Sequence, residues 1–228
     1  MGSLYWQIND VWPVFSWASV DFYGQWKALH YRSRASYEDL VVFAVPLGAP
    51  ADGHFEVHAI NERLTPATTS LVLEVMSFNG TLIASFHFDQ LIIPANDRRQ
   101  ESIQILLPSK LDANSSYLRT RLLDYSSQQL LHSVNTFYVR PIYRTLPKPQ
   151  LTVTCEAKSC SLTTSNFAHY TYLELRDGTD TTLRLSDNYF DLTPGMPPVT
   201  VKILSNHTVA QISDNLVVRT LYDTYTNL

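Results

Sequence analysis

The sequence predicts a mainly β chain, with one β/α unit followed by two β-sandwiches. Three observations carry this: apolar residues alternate with period two from Asp39 onward, hairpin-type dipeptides separate the alternating runs, and a tryptophan-rich opening stretch breaks the pattern. All four tryptophans (Trp6, Trp12, Trp17 and Trp26) fall in the first 26 of 228 residues. Within that opening, Leu4–Ile8 reads as a short strand, ended by the turn-forming Asn9-Asp10 and then by Trp12-Pro13. Gly24 to about Tyr37 reads as a helix, with Trp26, Leu29 and Ser33 on one face and Lys27, Arg32 and Arg34 at polar positions. A single β/α unit cannot bury two layers, so residues 1–38 are expected to need partners outside this chain.

Residues 39–142 hold seven candidate strands: Leu40–Val45, Phe55–Ile60, Ser70–Ser77, Thr81–Phe88, Ser102–Leu107, Tyr117–Leu123 and Val134–Val139. Asn79-Gly80 is a hairpin turn between two of them. Phe86, Phe88 and Leu91 against His87 and Asp89 show the alternation. Seven short strands without an intervening helix predict an immunoglobulin-like sandwich. Pro141 and then Leu146-Pro147-Lys148-Pro149 read as a stiff linker. Residues 143–228 form a second all-β segment, with candidate strands Leu151–Thr154, Cys160–Thr163, Tyr170–Arg176, Thr182–Leu185, Val199–Leu204 and Leu216–Leu221. Asp177-Gly178 reads as a hairpin turn, and Pro194–Pro198 as a turn before a strand.

Composition narrows the function. The net charge of −4 comes without a Lys/Arg cluster, which argues against nucleic acid as a partner. No run approaches the roughly 18 apolar residues of a membrane helix, so no membrane association is expected. The opening residues lack a basic region followed by a long apolar run, so no signal peptide is predicted. Cys155 and Cys160 are too few for a disulfide scaffold or a structural zinc site. A short hairpin bridge and two ordinary thiols fit them equally; a bridge would imply an oxidising compartment.

Seven scattered histidines form no metal pattern, since His54 and His58 on one strand would lie about 13 Å apart. No phosphate-cradling glycine loop and no Gly-x-Ser-x-Gly elbow is present. The acidic residues near the front, Asp10, Asp21, Glu38 and Asp39, are not arranged as an acid/base pair; Asp10 and Asp21 suit loop and helix capping. The cluster Tyr5, Trp6, Trp12, Phe15, Trp17, Phe22, Tyr23 and Trp26 offers flat apolar faces that can stack on pyranose rings. From composition alone, packing inside a larger core is the favoured role.

Three motifs carry a resemblance. Gly2 to Pro13 (GSLYWQINDVWP), Ser16-Trp17 and Tyr23 to Tyr31 (YGQWKALHY) together resemble the β-mannosidase branch of glycoside hydrolase family two. Val57 to Leu64 (VHAINERL) is similar to the opening of that family's following sandwich, and Leu185 to Gly195 (LSDNYFDLTPG) to its C-terminal immunoglobulin-like domain. The resemblance implies that residues 1–38 are the last β/α unit of a catalytic (β/α)8 barrel, which needs roughly 250 residues in all. It further implies upstream barrel strands and N-terminal domains as missing partners, with both catalytic glutamates on the upstream strands. No catalytic residue is then expected in this chain, Met1 is an internal methionine or the start of a truncated product, and the isolated chain is inactive.

By the same resemblance Trp6 belongs to the platform under the sugar, while Asn9 and Asp10 shape the pocket or only hold the loop, and Trp12 and Trp17 pack within it. The parent enzyme would hydrolyse terminal β-D-mannosyl residues of oligosaccharides and glycoproteins with retention and without a cofactor. One departure is the polar helix exit Arg32 to Glu38 (RSRASYE), where the family has an apolar one. Sequons at Asn79, Asn114 and Asn206 lean towards a lysosomal or extracellular protein. The competing reading is a free-standing pair of sandwiches acting as a carbohydrate-binding or interaction module without catalysis.

Overall fold

A computed structural model describes residues 4–49, 52–105, 107, 111–156, 158–176, 183–207 and 209–225. The Asp177-Gly178 turn and Thr182 lie outside the described residues. The contacts divide the chain into two compact units, Glu38–Leu146 and a discontinuous unit of Met1–Tyr37 with Pro147–Leu228. No helix among the described residues is long and apolar enough to cross a membrane.

The Glu38–Leu146 unit is a sandwich of seven strands: β1 (Leu40–Pro46), β2 (His54–Asn61), β3 (Ala67–Ser77), β4 (Leu82–Ile93), β5 (Asp97–Gln104), β6 (Ser116–Asp124) and β7 (Leu130–Phe137). Strands β1-β2-β5 form one antiparallel sheet and β4-β3-β6-β7 the other. Residues two or four apart on facing strands fill the space between them: Leu40, Val42 and Ala44, then Phe55 and Val57, then Leu71, Leu73 and Val75, then Leu118 and Leu122. Side chains of β7 also tie the two sheets at one side, where Val42 N donates to His132 Nδ1 at 3.2 Å and Thr136 Oγ1 to Ala44 O at 3.2 Å.

The strand expected at Ser102–Leu107 instead occupies Asp97–Gln104, paired along its whole length with β2. Its charged opening Asp97-Arg98-Arg99 hides an exposed strand from a hydrophobicity reading. In β4 the alternation of Phe86 and Phe88 would place Gln90, not Leu91, on the inner face. A bulge sets Leu91 inward: the register shifts between Thr69 and Leu71, and Gln90 takes φ 57°.

The central strands β3 and β6 are buried on both faces. On the side away from the core, Glu74 accepts hydrogen bonds from Arg119 Nε (2.7 Å) and from Arg121 Nε and Nη2 (3.0 and 2.9 Å). Beside this triad the Tyr117 ring stacks on Phe78 at 5.7 Å and lies 6.0 Å from Phe137. The Val57–Leu64 motif now has a physical reading. His58 stacks on Phe43 at 4.9 Å, and fully buried Asn61 donates to the carbonyls of Thr65, Ile93 and Pro94 at 2.9, 3.3 and 3.0 Å.

The other unit contains α1 (Ala28–Ser36), β8 (Leu151–Glu156), β9 (Ser159–Thr164), β10 (Ala168–Leu175), β11 (Phe190–Leu192), β12 (Val199–Lys202), α2 (Val209–Asn215), β13 (Leu216–Arg219) and α3 (Leu221–Tyr225). Sheets β12-β9-β8 and β11-β10-β13 close over Leu162, Leu173, Leu185, Leu192, Val201 and Ile212. The expected strand ending at Leu185 is only a single bridge to Ile203, and Leu216–Leu221 ends at Arg219, where α3 takes over. Strand β11 and helices α2 and α3 were not expected; each is too short for its periodicity to stand out. Cys155 and Cys160 face each other across the β8–β9 hairpin and are joined by a disulfide, with Cys160 in the core. In the Leu185–Gly195 motif, Asn188 acts as a backbone surrogate: Leu173 N donates to its Oδ1 (2.9 Å) and its Nδ2 donates to Leu173 O (3.0 Å). Asp191 meets buried His169 at 2.7 Å.

Candidate functional site

The opening segment is where aromatic residues, loop and helix come together. The strand expected at Leu4–Ile8 does not form, and bends fall at Trp6 and Ile8. Instead Asn9 bridges Val20 in parallel, with Val20 N donating to Ile8 O at 2.9 Å and Asp10 N to Val20 O at 3.0 Å. A lone parallel pairing offers too little ladder to define a strand. Between these two points the loop is tied by one buried carboxylate. Asp10 accepts Ser16 Oγ at 2.5 Å and Lys27 Nζ at 2.8 Å, and Ser16 in turn accepts Ala18 N at 3.0 Å. The Lys27 ammonium, helped by the Ser16 hydroxyl, holds the Asp10 carboxyl below the usual carboxylate range. Both Asp10 oxygens therefore tie the loop to the start of α1.

Trp6 stands 76 % exposed at the head of this loop, and the Trp6–Gln7 peptide is cis. Asn9 is also exposed, and its Nδ2 donates to the carbonyl of Asp10 at 3.2 Å. Trp12 and Trp17 were expected to pack within the loop, but they stand 63 % and 67 % exposed, as do Val11 and Phe15 beside them. The loop is spanned by polar ties through Asp10 and Ser16, so its apolar side chains have no interior of their own to fill.

The helix begins at Ala28, not Gly24. Asp21 Oδ1 accepts Gln25 N at 2.7 Å, and Gly24, at φ +82°, completes a turn that a helix cannot contain. The buried side of α1 also differs from the expected Trp26, Leu29 and Ser33 face. Tyr31 is its buried residue, packed against Trp26 and Tyr189 with ring centroids 5.8 and 6.0 Å away, and burial pushes its phenol up to about 12. The polar exit of the helix is what docks it onto the C-terminal sandwich. Arg34 donates to Ser186 O and pairs with Asp187 at 3.3 Å, and Arg32 lies over the Tyr170 ring at 5.1 Å. The 1–38 segment thus finds part of its packing within this chain.

Between Tyr5, α1 and the Ser186 and Leu204 loops lies an open cavity of about 490 Å³, lined by Trp26, His30, Tyr31, Arg34 and Tyr37 among others. Among the described residues that line it none is a carboxylate, whereas glycoside hydrolysis requires a pair of acidic groups. Among the described residues no three His, Cys, Asp or Glu side chains gather as a metal site would need. The residues that sequence reasoning missed here are Lys27, Tyr31, Arg34 and Tyr189, which hold the aromatic loop and helix in place.

The chain is similar to known proteins over most of its length. Residues 53–142 match a mannosidase Ig/CBM-like domain, and residues 146–224 an Ig-fold domain described for mannosidases. β-Mannosidase A of Aspergillus niger is 26 % identical over 98 % of this chain, which covers 25 % of that protein. Mouse β-mannosidase is 42 % identical over 75 residues, 33 % of this chain and 8 % of that protein.

The chain belongs to the C-terminal portion of the β-mannosidase branch of glycoside hydrolase family two.

Among solved structures, a β-D-mannosidase from Dictyoglomus thermophilum superposes with a TM-score of 0.76 at 20 % identity, over 94 % of this chain and 25 % of that one. An exo-chitosanase from Amycolatopsis orientalis superposes with a TM-score of 0.68 at 14 % identity, over 95 % and 29 %. These likenesses establish a shared fold. The chain spans about a quarter of the length of the relatives it matches over nearly all its residues.

Proposed function

We propose that this chain works as the C-terminal part of a retaining β-mannosidase that hydrolyses terminal β-D-mannosyl residues of oligosaccharides and glycoproteins. Residues 1–38 are read as the last β/α unit of its (β/α)8 barrel, with the nucleophile and acid/base glutamates on upstream strands. The observation that carries this is the exposed aromatic loop. Trp6 presents an uncovered indole next to a loop tied through Asp10, Ser16 and Lys27. Barrel enzymes build their sites from strand ends and the loops that follow them, and the reading takes Trp6 and its loop as such a place. An indole face there can take the C–H face of a mannosyl ring, while Asn9, exposed beside it, can reach a hydroxyl.

Asp10 acts on substrate only indirectly, by holding the loop. The chemistry assigned to the parent enzyme is a double displacement, in which a carboxylate forms a glycosyl–enzyme intermediate and an acid/base partner first protonates the departing oxygen and then activates water. The reading puts both groups upstream of these residues and therefore expects no turnover from the 228 residues alone. Two measurements test it. Sequencing the transcript upstream of the Met1 codon should show an in-frame continuation encoding barrel strands and two glutamates. The pure 228-residue chain should leave an aryl β-mannoside unhydrolysed, and clear turnover by it would overturn the placement of the catalytic groups.

A further inference from the structure

We infer that Asn79 is an N-glycan acceptor, carried on the outer end of the β3–β4 hairpin. The Asn-Gly-Thr triplet at 79–81 forms the tip of that hairpin. The turn is pinned by its own backbone, with Gly80 N donating to Ser77 O and Ser77 N to Thr81 O, each at 3.0 Å. The Asn79 carboxamide oxygen is occupied, accepting Ser77 Oγ and, at 3.1 Å, Thr81 N. Its Nδ2, the atom a glycan would be attached to, makes no hydrogen bond among the described residues, and Asn79 itself is exposed. Thr81 is also exposed, with its hydroxyl uncommitted among the described residues. Gly80 at φ +91° lets the chain reverse there without a side chain crowding the acceptor. A loop tip of this kind tolerates a bulky, solubilising addition, because nothing buried has to move.

A neighbouring triplet supplies the internal comparison. Asn114-Ser115-Ser116 lies at the same end of the sheet, since Ser77 pairs with Ser116 and Phe78 N donates to Ser115 O at 2.8 Å. There the third-position hydroxyl is sequestered: Ser116 is 2 % exposed and donates to the carbonyl of Asp112. The Asn114 carbonyl is itself held by Thr145 N at 2.8 Å. In the folded chain the Asn79 triplet is thus open at both functional positions, and the Asn114 triplet at only one. The third sequon, at Asn206, ends in Thr208, outside the described residues.

A second observation supports the secretory route that such a transfer requires. Its two cysteines are joined as a disulfide across the β8–β9 hairpin, a state that the reducing cytosol disfavours and the secretory route promotes. The donor required is an oligosaccharide carried on a polyprenyl diphosphate. Asn79 Nδ2 attacks the anomeric carbon of its first sugar, so that an N–C bond forms and the C–O bond to diphosphate breaks. The electron pair leaves with the diphosphate, and the amide proton passes to a carboxylate of the transferase.

The test is site occupancy by mass spectrometry on protein isolated from its own source. Trypsin places Asn79, Asn114 and Asn206 on three separate peptides, ending at Arg98, Arg119 and Arg219. Enzymatic deglycosylation in heavy-oxygen water converts each occupied Asn to a labelled Asp. The expected result is a labelled Asn79 peptide, in a larger fraction than the Asn114 peptide. In a eukaryotic secretory host, Thr81→Ala should remove one glycan band and Thr81→Ser should keep it, which separates loss of the acceptor from misfolding. An unlabelled Asn79 peptide, or labelling of Asn114 with Asn79 bare, overturns the inference.

Discussion

Replacing Tyr31 by Ala should release the opening segment from the C-terminal sandwich while leaving that sandwich folded. Tyr31 is 3 % exposed and is the buried residue of α1, set between Trp26 and Tyr189. An aromatic ring of this size buries about 150–250 Å², and truncating one to Ala costs about 3–5 kcal/mol. The sandwich keeps its own core of Leu162, Leu173 and Val201, so the loss falls on the docking of α1. A loss of about 3 kcal/mol lowers the ratio of docked to undocked helix by more than about 100-fold. The surviving ties, Arg34 to Ser186 and Asp187, are half-exposed and cannot replace it. The assay is unusually clean because all four tryptophans lie between residues 6 and 26. Indole emission in a urea titration therefore reports on this segment alone, while far-ultraviolet dichroism reports on the strands. In Tyr31→Ala the indole transition should move to lower urea, or be lost, with the dichroism midpoint close to wild type; Tyr31→Phe should keep both. If indole emission and midpoint of Tyr31→Ala match the wild type, Tyr31 does not anchor the helix.

Two further outcomes follow from the Glu38–Leu146 unit. Glu74→Ala strands two guanidinium groups, Arg119 being nearly buried, and should destabilise the unit by about 3–5 kcal/mol in urea unfolding. Combining it with Arg119→Met should recover much of the loss, and a single-variant cost under about 1 kcal/mol would show the triad to be solvated. Burial alone would raise the Glu74 carboxyl, but Arg119 and Arg121 outweigh it and hold the group below the ordinary glutamate value. That contribution is therefore present above about pH 4.5 and lost as pH falls through the lower folded value. His132 acts at higher pH. Burial lowers its imidazole below the usual 6.5, where it accepts Val42 N in its neutral form. Its contribution is complete above that value and declines as pH falls from it towards the folded one. The stability gap between wild type and His132→Leu, measured by urea unfolding, should narrow between pH 7.5 and 5.5, taken as roughly one unit either side of the unperturbed value. A gap that widened would contradict a buried neutral ring.

Much of the fold is legible locally, and the failures have identifiable causes. A strand such as β4 shows itself because one face is apolar and the next polar. The same rule missed the start of β5, whose Asp97-Arg98-Arg99 opening has no apolar face to detect. It also could not foresee the bulge at Gln90, which sets Leu91 in phase with Phe86 and Phe88 through backbone geometry. In the opening segment, the aromatic cluster and the Asn9-Asp10 turn were visible, but their partners were not. Asp10 is paired with Lys27, 17 positions away, and Arg34 with Ser186, 152 positions away. The polar helix exit gains its meaning only from those distant contacts.

The sequence by itself determined the β-rich class, the hairpin at Asn79-Gly80, the aromatic character of the opening loop and the family, because each is written in neighbouring residues and their spacing. The tertiary structure decided which of those residues are held and which remain open. It engaged Asp10 in the loop's scaffold, left Trp6 uncovered, turned Asn188 and Asn61 into buried backbone partners, and joined Cys155 to Cys160. Periodicity states which face a residue belongs to. Only the folded chain states what lies opposite that face, because burial and pairing depend on segments brought together from far along the sequence.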